Sequence, residues 1–371
     1  MQRLTCTPRA DWRQQCEDAG FIYHSVGGPY WDESACYSFT LEQIETLEDA
    51  ANDLHQRCLE AVDWVIRQRD FASFRLDRPA IDAVCRSWKA AEPALYGRFD
   101  FSWNGTGAPK MLEYNADTPT GLLEASVIQW HWLQQQFPQA DQFNSIHERL
   151  IARWKQIAPP GLMHFTALDE NEEDTGNVLY LQETARQAGI VSDYLPVEQI
   201  GYDRLQKAFV DREGRAMSYC FKLYPWEWLL ADEFAALLPD SGLRLQEPAW
   251  KLLMSSKALL PVLTRLFPRH PNLLAASFAD SLPLPHVRKP LYSREGENIR
   301  ISSASGVLES DGPFSDGPFI WQQCAALPCF DGNYPVLGCW MIGDSACGLG
   351  IREDSDPITR NSSRFLPHLF R

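Results

Sequence analysis

The sequence predicts a mixed fold that combines an α/β section with an α+β section. Three observations carry the prediction. Apolar residues recur at three- and four-residue steps from Thr40 to about Arg69, and polar and apolar residues alternate with period two over 96–103 and 110–116. Residues 161–250 then read as strands and helices in alternation, ahead of a strand-rich final third. A chain of 371 residues is long enough to bury a sizeable core and to divide into two or three units.

In chain order, Ile44, Leu47, Leu54, Cys58, Val62, Val65 and Ile66 share one face of a long helix, and Thr40 with Gln43 forms a capping box at its start. A second helix is predicted over 80–91. The two alternating segments follow, joined by Asn104-Gly105-Thr106-Gly107, which has the composition of a hairpin turn. Amphipathic helices are predicted over Gly121–Gln136 and Ser145–Ile157, and Pro159-Pro160 ends the second. The α/β section reads as strand Leu162–Leu168, helix Asn177–Gln187, strands Ile190–Leu195 and Ser218–Leu223, and helix Trp226–Leu238. Beyond Gly242 come a helix over Ser256–Phe267 and a Pro-rich linker over Pro268–Pro285. Strands are expected at His286–Leu291, Ile299–Ser303, Phe319–Gln323, Val336–Ile342 and Ala346–Arg352. The implied division is a helical segment 1–95, a hairpin with helices 96–160, an α/β region 161–250 and a last region 251–371.

The hairpin carries the most chemistry. If its strands pair about the turn, Asp100 faces Glu113 and Arg98 faces Asn115, because residues two apart share a face. Two carboxylates opposite each other repel unless a cation lies between them, and two carboxylates with an amide oxygen suit Mg²⁺, a hard ion that binds oxygen. The competing reading is that these polar residues only face water while Phe99, Phe101, Leu112 and Tyr114 face the core. The convergence of two acids, an Asn and an Arg favours the metal.

The net charge is −15, from 34 Lys+Arg against 49 Asp+Glu. That balance argues against nucleic acid or an anionic membrane as the main partner and would attract a cationic substrate such as a polyamine. Ten cysteines are scattered with no Cys-x-x-Cys pair, which reads as reduced, mostly buried thiols. Met1–Thr5 begins no signal sequence and no apolar run approaches the ~20 residues that span a bilayer. A cytoplasmic protein is expected.

Lys257, in Ser255-Ser256-Lys257-Ala258, and Lys289, within His286-Val287-Arg288-Lys289-Pro290, are candidate point charges for phosphates. No P-loop is present. Ser293-Arg294-Glu295-Gly296-Glu297-Asn298 is a Gly-centred turn suited to cover phosphates with backbone N–H groups. Gln322 and Gln323 end a strand where edge amides can read an adenine, and Arg352 is available for a phosphate. The acidic run 169–174 follows a strand at the end where open α/β sheets bind ligands, and Glu173 is a candidate for an amine. Phe221–Trp228 is rich in aromatic rings. Nothing supports a hydrolytic triad.

Taken together, Arg98-Phe99-Asp100-Phe101, Glu113-Tyr114-Asn115-Ala116-Asp117, Phe221-Lys222-Leu223-Tyr224-Pro225-Trp226-Glu227, Glu247-Pro248-Ala249-Trp250, Ser256-Lys257-Ala258-Leu259-Leu260-Pro261, Lys289-Pro290, Ser293-Arg294-Glu295-Gly296, Gln322-Gln323 and Ile351-Arg352-Glu353-Asp354 resemble the synthetase domain of the glutathionylspermidine synthase family, and in particular its stand-alone bacterial acid–amine ligases. The resemblance implies an ATP-grasp fold with a preceding α/β substrate-binding region. It implies Asp100, Glu113 and Asn115 as Mg²⁺ ligands and Arg98 as the residue that neutralises the transferring phosphate. It places Lys257, Lys289, Ser293, Arg294, Glu295, Gly296, Gln322, Gln323 and Arg352 at ATP-binding positions. Thr118 and Thr120 fall near a glutathione-like acid, Trp228 replaces a threonine of that pocket, and the amine-binding acid falls on Glu172 or Glu173, most nearly Glu173. The cysteine/histidine amidase half of the bifunctional members finds no counterpart in these 371 residues, so amide hydrolysis is not expected. The implied activity is an ATP- and Mg²⁺-dependent ligase joining a glutathione-like carboxylate to a polyamine-like amine; the rival is a nucleotide-binding regulator without ligase chemistry.

Overall fold

The computed structural model describes residues 1–25 and 28–371. Strands Tyr96–Ser102 and Lys110–Asn115 form the expected hairpin, with Arg98 opposite Asn115 and Asp100 opposite Glu113. Just beyond Asp100 the register shifts, so that Phe101 faces Met111. This bulge corrects one reading: Met111 enters the core beside Phe99, Phe101 and Tyr114, while Leu112 turns to a cavity. On its other edge Tyr96–Ser102 pairs with Tyr334–Ile342, which pairs with Ser345–Asp354 and through it with Arg364–Leu366. The hairpin and the chain's last third therefore share one antiparallel sheet.

A second antiparallel sheet runs in the order Ala276–Ser277, Phe319–Gln323, His286–Pro290, Arg300–Ser303, Gly306–Glu309. Its edge strand comes from the stretch read as a Pro-rich linker. The α/β section forms a parallel sheet ordered Arg244–Gln246, Tyr219–Lys222, Met163–Thr166, Ser192–Tyr194. Strands Gln2–Thr5 and Ala35–Phe39, neither expected, form a third layer with His368–Phe370. The first 95 residues are thus not only helical.

Helix Leu41–Gln68 starts at Thr40 with the predicted capping box and lays Leu47, Leu54, Cys58, Val62 and Val65 into the core that holds Phe99 and Tyr114. Helix Arg78–Lys89 begins two residues early, because the Asp77 side chain caps it. The segment after Gly121 opens as a π-helical turn over Glu124–Ile128 before Gln129–Gln136. Helix Glu172–Gln187 starts five residues ahead of expectation, since the Asn171 side chain accepts the Asp174 N–H. Glu172, Glu173 and Asp174 thereby occupy its first turn, where the helix dipole favours acids. The expected 226–238 helix ends at Ala231, where Asp232 turns extended. The expected 256–267 helix starts only at Leu259 and runs to Leu266; a short helix Lys251–Ser255, not expected, precedes it, and an extended Ser256 parts the two and leaves Lys257 in the break. All ten cysteines are free, and six are buried. No helix among the described residues is long and apolar enough to cross a membrane.

Candidate functional site

A cavity of about 350 Å³ lies where the hairpin, the second antiparallel sheet and the C-terminal ends of the parallel strands meet. The hairpin supplies Arg98, Asp100, Glu113 and Asn115. Arg98 grips Asp100 with two bonds, Nε to Oδ1 at 2.7 Å and Nη2 to Oδ2 at 3.0 Å, and its Nη1 donates to the Thr120 carbonyl at 2.6 Å. Asn115 Nδ2 donates to Asp100 Oδ2 at 3.0 Å and to Glu113 Oε1 at 3.2 Å, so the amide sits between the two carboxylates. The bidentate grip fixes Arg98 in a plane, which a lysine cannot do.

Two lysines approach from the last third. Lys257 Nζ lies 3.2 Å from Glu113 Oε2 and donates to the Ser293 carbonyl at 2.7 Å. The helix break at Ser256 makes this reach possible. Lys289 Nζ donates to the Leu112 carbonyl at 3.0 Å. Burial opposes charge on Glu113, yet Lys257, Lys289 and the Asn115 hydrogen bond outweigh it and hold its carboxyl down at about 2. Burial lowers Lys289 to about 8, with Glu113 pulling the other way and Lys257 adding to the fall. Burial would also lower Arg98, but Asp100 reverses the effect and keeps it charged.

The Ser293–Asn298 turn closes one side. Arg294 donates to Glu227 at 2.7 Å and to Thr118 Oγ1 at 2.8 Å and lies 5.1 Å from the Trp228 ring centroid. Gly296, at φ +70°, packs so closely on the Thr359 carbonyl that a Cβ would lie 2.2 Å from its oxygen. Arg352 lines the cavity while donating to the carbonyls of Arg360, Asn361 and Ser363. Thr118, Thr120, Glu295 and Trp228 also line it.

Three expected residues are outside the wall. Gln322 is buried and donates to the Met111 carbonyl at 3.3 Å, and Gln323 is exposed. Their end of the cavity is instead an apolar slot of Leu112, Val287, Ile301, Ala325 and Leu327, with Cys324 beside it. Val287 and Ile301 are cross-strand partners, a pairing that period-two alternation in their strands signals. Glu173 is also absent from the wall, whereas Asn171 and Asp174 of the same helix start are in it. Burial first, then the neighbouring Glu173, push Asp174 up to about 7. Burial and Glu173 likewise raise Glu295, and raise the wholly buried Glu124, which accepts the Tyr30 O–H, to about 7.

Sequence reasoning also missed the support beneath the site. Asp117 and Lys222, both about 2% exposed, pair at 2.8 Å, and the other Asp117 oxygen accepts the Trp226 N–H at 2.8 Å. A lysine in an otherwise apolar strand, Tyr219–Lys222, was the available signal. Elsewhere, Asp193, Asp211 and Glu213 form an acidic group that Arg215 already bridges, at 2.8, 2.6 and 3.1 Å.

Residues 3–371 match the family profile described as glutathionylspermidine synthase preATP-grasp. Over 393 aligned positions, covering all of both chains, the sequence is 42% identical to a Haemophilus influenzae protein provisionally named an acid–amine ligase. It is 31% identical to trypanothione synthetase of Crithidia fasciculata, covering 84% of this chain and 53% of that one. It is 27% identical to the bifunctional glutathionylspermidine synthetase/amidase of Escherichia coli, covering 89% and 58%. The chain spans little more than half the length of these last two relatives.

Proposed function

The chain belongs to the glutathionylspermidine synthase family and is an ATP-dependent amide-bond ligase, and we propose that it activates a peptide-like carboxylate as an acyl phosphate in the cavity of the hairpin and hands it to a polyamine-like amine. The observation that carries this reading is the meeting, in one cavity, of Arg98, Asp100, Glu113 and Asn115 with Lys257, Lys289 and Arg352. An ATP-grasp architecture fits the two antiparallel sheets around it, with the parallel sheet of 161–250 as the preceding substrate region and the rest divided at 95, 160 and 250.

The donor set suits Mg²⁺. Two facing carboxylates and an amide supply hard oxygen ligands, and Mg²⁺ is commonly held by one or two carboxylates together with substrate phosphates. A half-turn of the Asn115 amide brings its Oδ1 to the point its Nδ2 now occupies. When bound, the ion spreads the charge of the phosphates.

In this reading the apolar slot takes the nucleotide base, Lys257 and Lys289 hold phosphate oxygens, and the Ser293–Asn298 turn covers them. Thr118, Thr120 and Trp228 hold the acid so that its oxygen meets the γ-phosphorus in line. The bond to the β-phosphate oxygen breaks, and Arg98, fixed by Asp100, stabilises the charge on the transferring group. The amine nitrogen then attacks the acyl carbon and phosphate leaves. Asp174 and Glu295 form the acidic end that draws the ammonium, with Glu173 and the buried Glu124 behind them, and Asp174, poised near neutrality, is suited to take its proton.

The test is ADP release with Mg·ATP, glutathione-like thiol peptides and polyamines, with the product identified by mass. Amine-dependent ADP release and a condensed amide are expected. Nucleotide binding without either would favour the regulatory reading instead.

A further inference from the structure

Behind the hairpin, on the face turned away from the cavity, Tyr114 stacks on Phe99 with ring centroids 3.7 Å apart and planes 11° from parallel. These are the side chains between the site residues: Phe99 separates Arg98 from Asp100, and Tyr114 separates Glu113 from Asn115. The Tyr114 hydroxyl lies 2.9 Å from His55 Nδ1, and His55 Nε2 lies 3.3 Å from Asp344 Oδ1. His55 projects from helix Leu41–Gln68 and is 1% exposed; Asp344 is an exposed residue of the turn between Ile342 and Ser345. Gly97 makes room for the ring, since a Cβ there would come within 2.8 Å of it.

With the imidazole neutral and the carboxylate ionised, the chain of bonds has one consistent proton arrangement. The phenol O–H donates to Nδ1, so Nε2 carries the imidazole proton and donates to the Asp344 carboxylate, which fixes that tautomer. The bulge explains why such a tie is needed. Opposite the step from Asp100 to Phe101 the second strand carries an extra residue, Leu112, so the turn at 103–109 does not set the register of the part that holds Glu113 and Asn115. A one-residue slip would turn both away from Asp100.

We propose that Asp344, His55 and Tyr114 are positioning residues for the metal site, a relay that pins the strand Lys110–Asn115 so that Glu113 and Asn115 face Asp100. The proposal rests on the magnesium reading of those three residues. Its probe is Mn²⁺, titrated in the presence of ADP and followed by electron paramagnetic resonance on the full chain. Tyr114→Phe, which removes only the hydroxyl, and Asp344→Ala, a change at an exposed residue that does not threaten folding, should each weaken Mn²⁺ about tenfold, the low end for loss of a group supporting a metal ligand. Asp344→Asn, whose amide oxygen still accepts from Nε2, should restore binding to near the wild-type value. ADP affinity with EDTA present should stay unchanged in all three. Unaltered Mn²⁺ affinity in Tyr114→Phe and Asp344→Ala overturns the relay, as does an equal loss of metal-free ADP affinity, the mark of general loosening. Failure of the wild-type protein to bind Mn²⁺ with ADP would remove the magnesium reading itself, and the relay with it.

Discussion

The Asp117–Lys222 pair offers the sharpest test of how the α/β region is joined to the hairpin. Both groups are about 2% exposed and 2.8 Å apart, and Asp117 also takes the Trp226 N–H. Asp117→Asn keeps the shape and an oxygen for that N–H but leaves a buried ammonium without a counter-charge. Breaking a buried pair in this way costs about 3–5 kcal/mol. With an unfolding entropy of about 2.1 cal/mol/K per residue, the whole chain changes by about 0.8 kcal/mol for each degree, so the apparent Tm should fall by about 4–6 °C. Lys222→Met, which strands the carboxylate, should lose a similar amount. The double variant Asp117→Asn/Lys222→Met leaves no buried charge and should recover at least about 2 kcal/mol of the combined loss, because a neutral pair of similar volume can replace a buried ion pair at small cost. Scanning calorimetry of the four proteins at pH 7 measures all of this. A double variant that loses the sum of the singles would refute the argument. The singles should also raise KM for the acid, since the helix from Trp226 carries Glu227 and Trp228 into the cavity.

Arg98→Ala should lower kcat by about 10²–10³-fold, the cost of one lost charge-stabilising donor, with an unchanged circular dichroism spectrum; an unchanged rate would strip Arg98 of its role. Asp174 and Glu124 have folded-state pKa values raised to about 7, above the unfolded carboxylate range near 4, so the native chain binds more protons between those limits and its stability should fall as pH rises through that window, by up to about 1.4 kcal/mol per pH unit per group. Urea unfolding at pH 5 and 7.5 checks it, and Glu124→Gln should flatten the slope. A polyamine bound there favours the ionised carboxylates, so spermidine binding at pH 6.5 should release protons, seen as a dependence of binding heat on buffer ionisation enthalpy, and the release should shrink in Asp174→Asn. Gly296→Ala, which drives a Cβ onto the Thr359 carbonyl at φ +70°, should raise KM for ATP about tenfold in steady-state assays.

Most of the hairpin was legible because its determinants are local: alternation fixes the faces and the Gly-containing turn fixes the reversal, while the pairing of Asp100 with Glu113 also needs the bulge at Leu112. The long helix was legible from Thr40 and Gln43 for the same reason. What escaped depends on contacts distant in sequence. The pairing of Tyr96–Ser102 with Tyr334–Ile342 joins segments more than two hundred residues apart, and no periodicity in either names the other. Strands Gln2–Thr5 and Ala35–Phe39 are short and pair with each other, and Ala35–Phe39 pairs also with the C-terminal His368–Phe370. Gln322 looked like a base-reading amide on residue type alone, but its strand position turns it toward the Met111 carbonyl, and the slot residues Val287 and Ile301 are apolar and drew no notice. Glu173 follows from the resemblance, with Glu172 as its alternative; the Asn171 cap winds the acidic run into a helical turn and brings Asp174 to the wall.

The electrostatics of the cavity argue for two oppositely charged substrates at once. At the hairpin end, burial lowers Lys289 to about 8 against the pull of Glu113, with Lys257 adding to the fall, so an anion beside it would favour its charged form. At the other end, burial first and then Glu173 raise Asp174 to about 7 and lift Glu295 as well, and do the same to Glu124 behind the wall. A ligand of the opposite sign would favour the charged form at each end. Arg98, Thr118 and Thr120 lie in the wall along with Lys289, Asp174 and Glu295, and on the proposed reading a carboxylate passing from phosphate to amine stands among them. A protein that only sensed a nucleotide would have reason to keep the basic end alone. On the proposed reading, the acidic end serves an amine that arrives charged, is held there, and surrenders a proton before its nitrogen attacks.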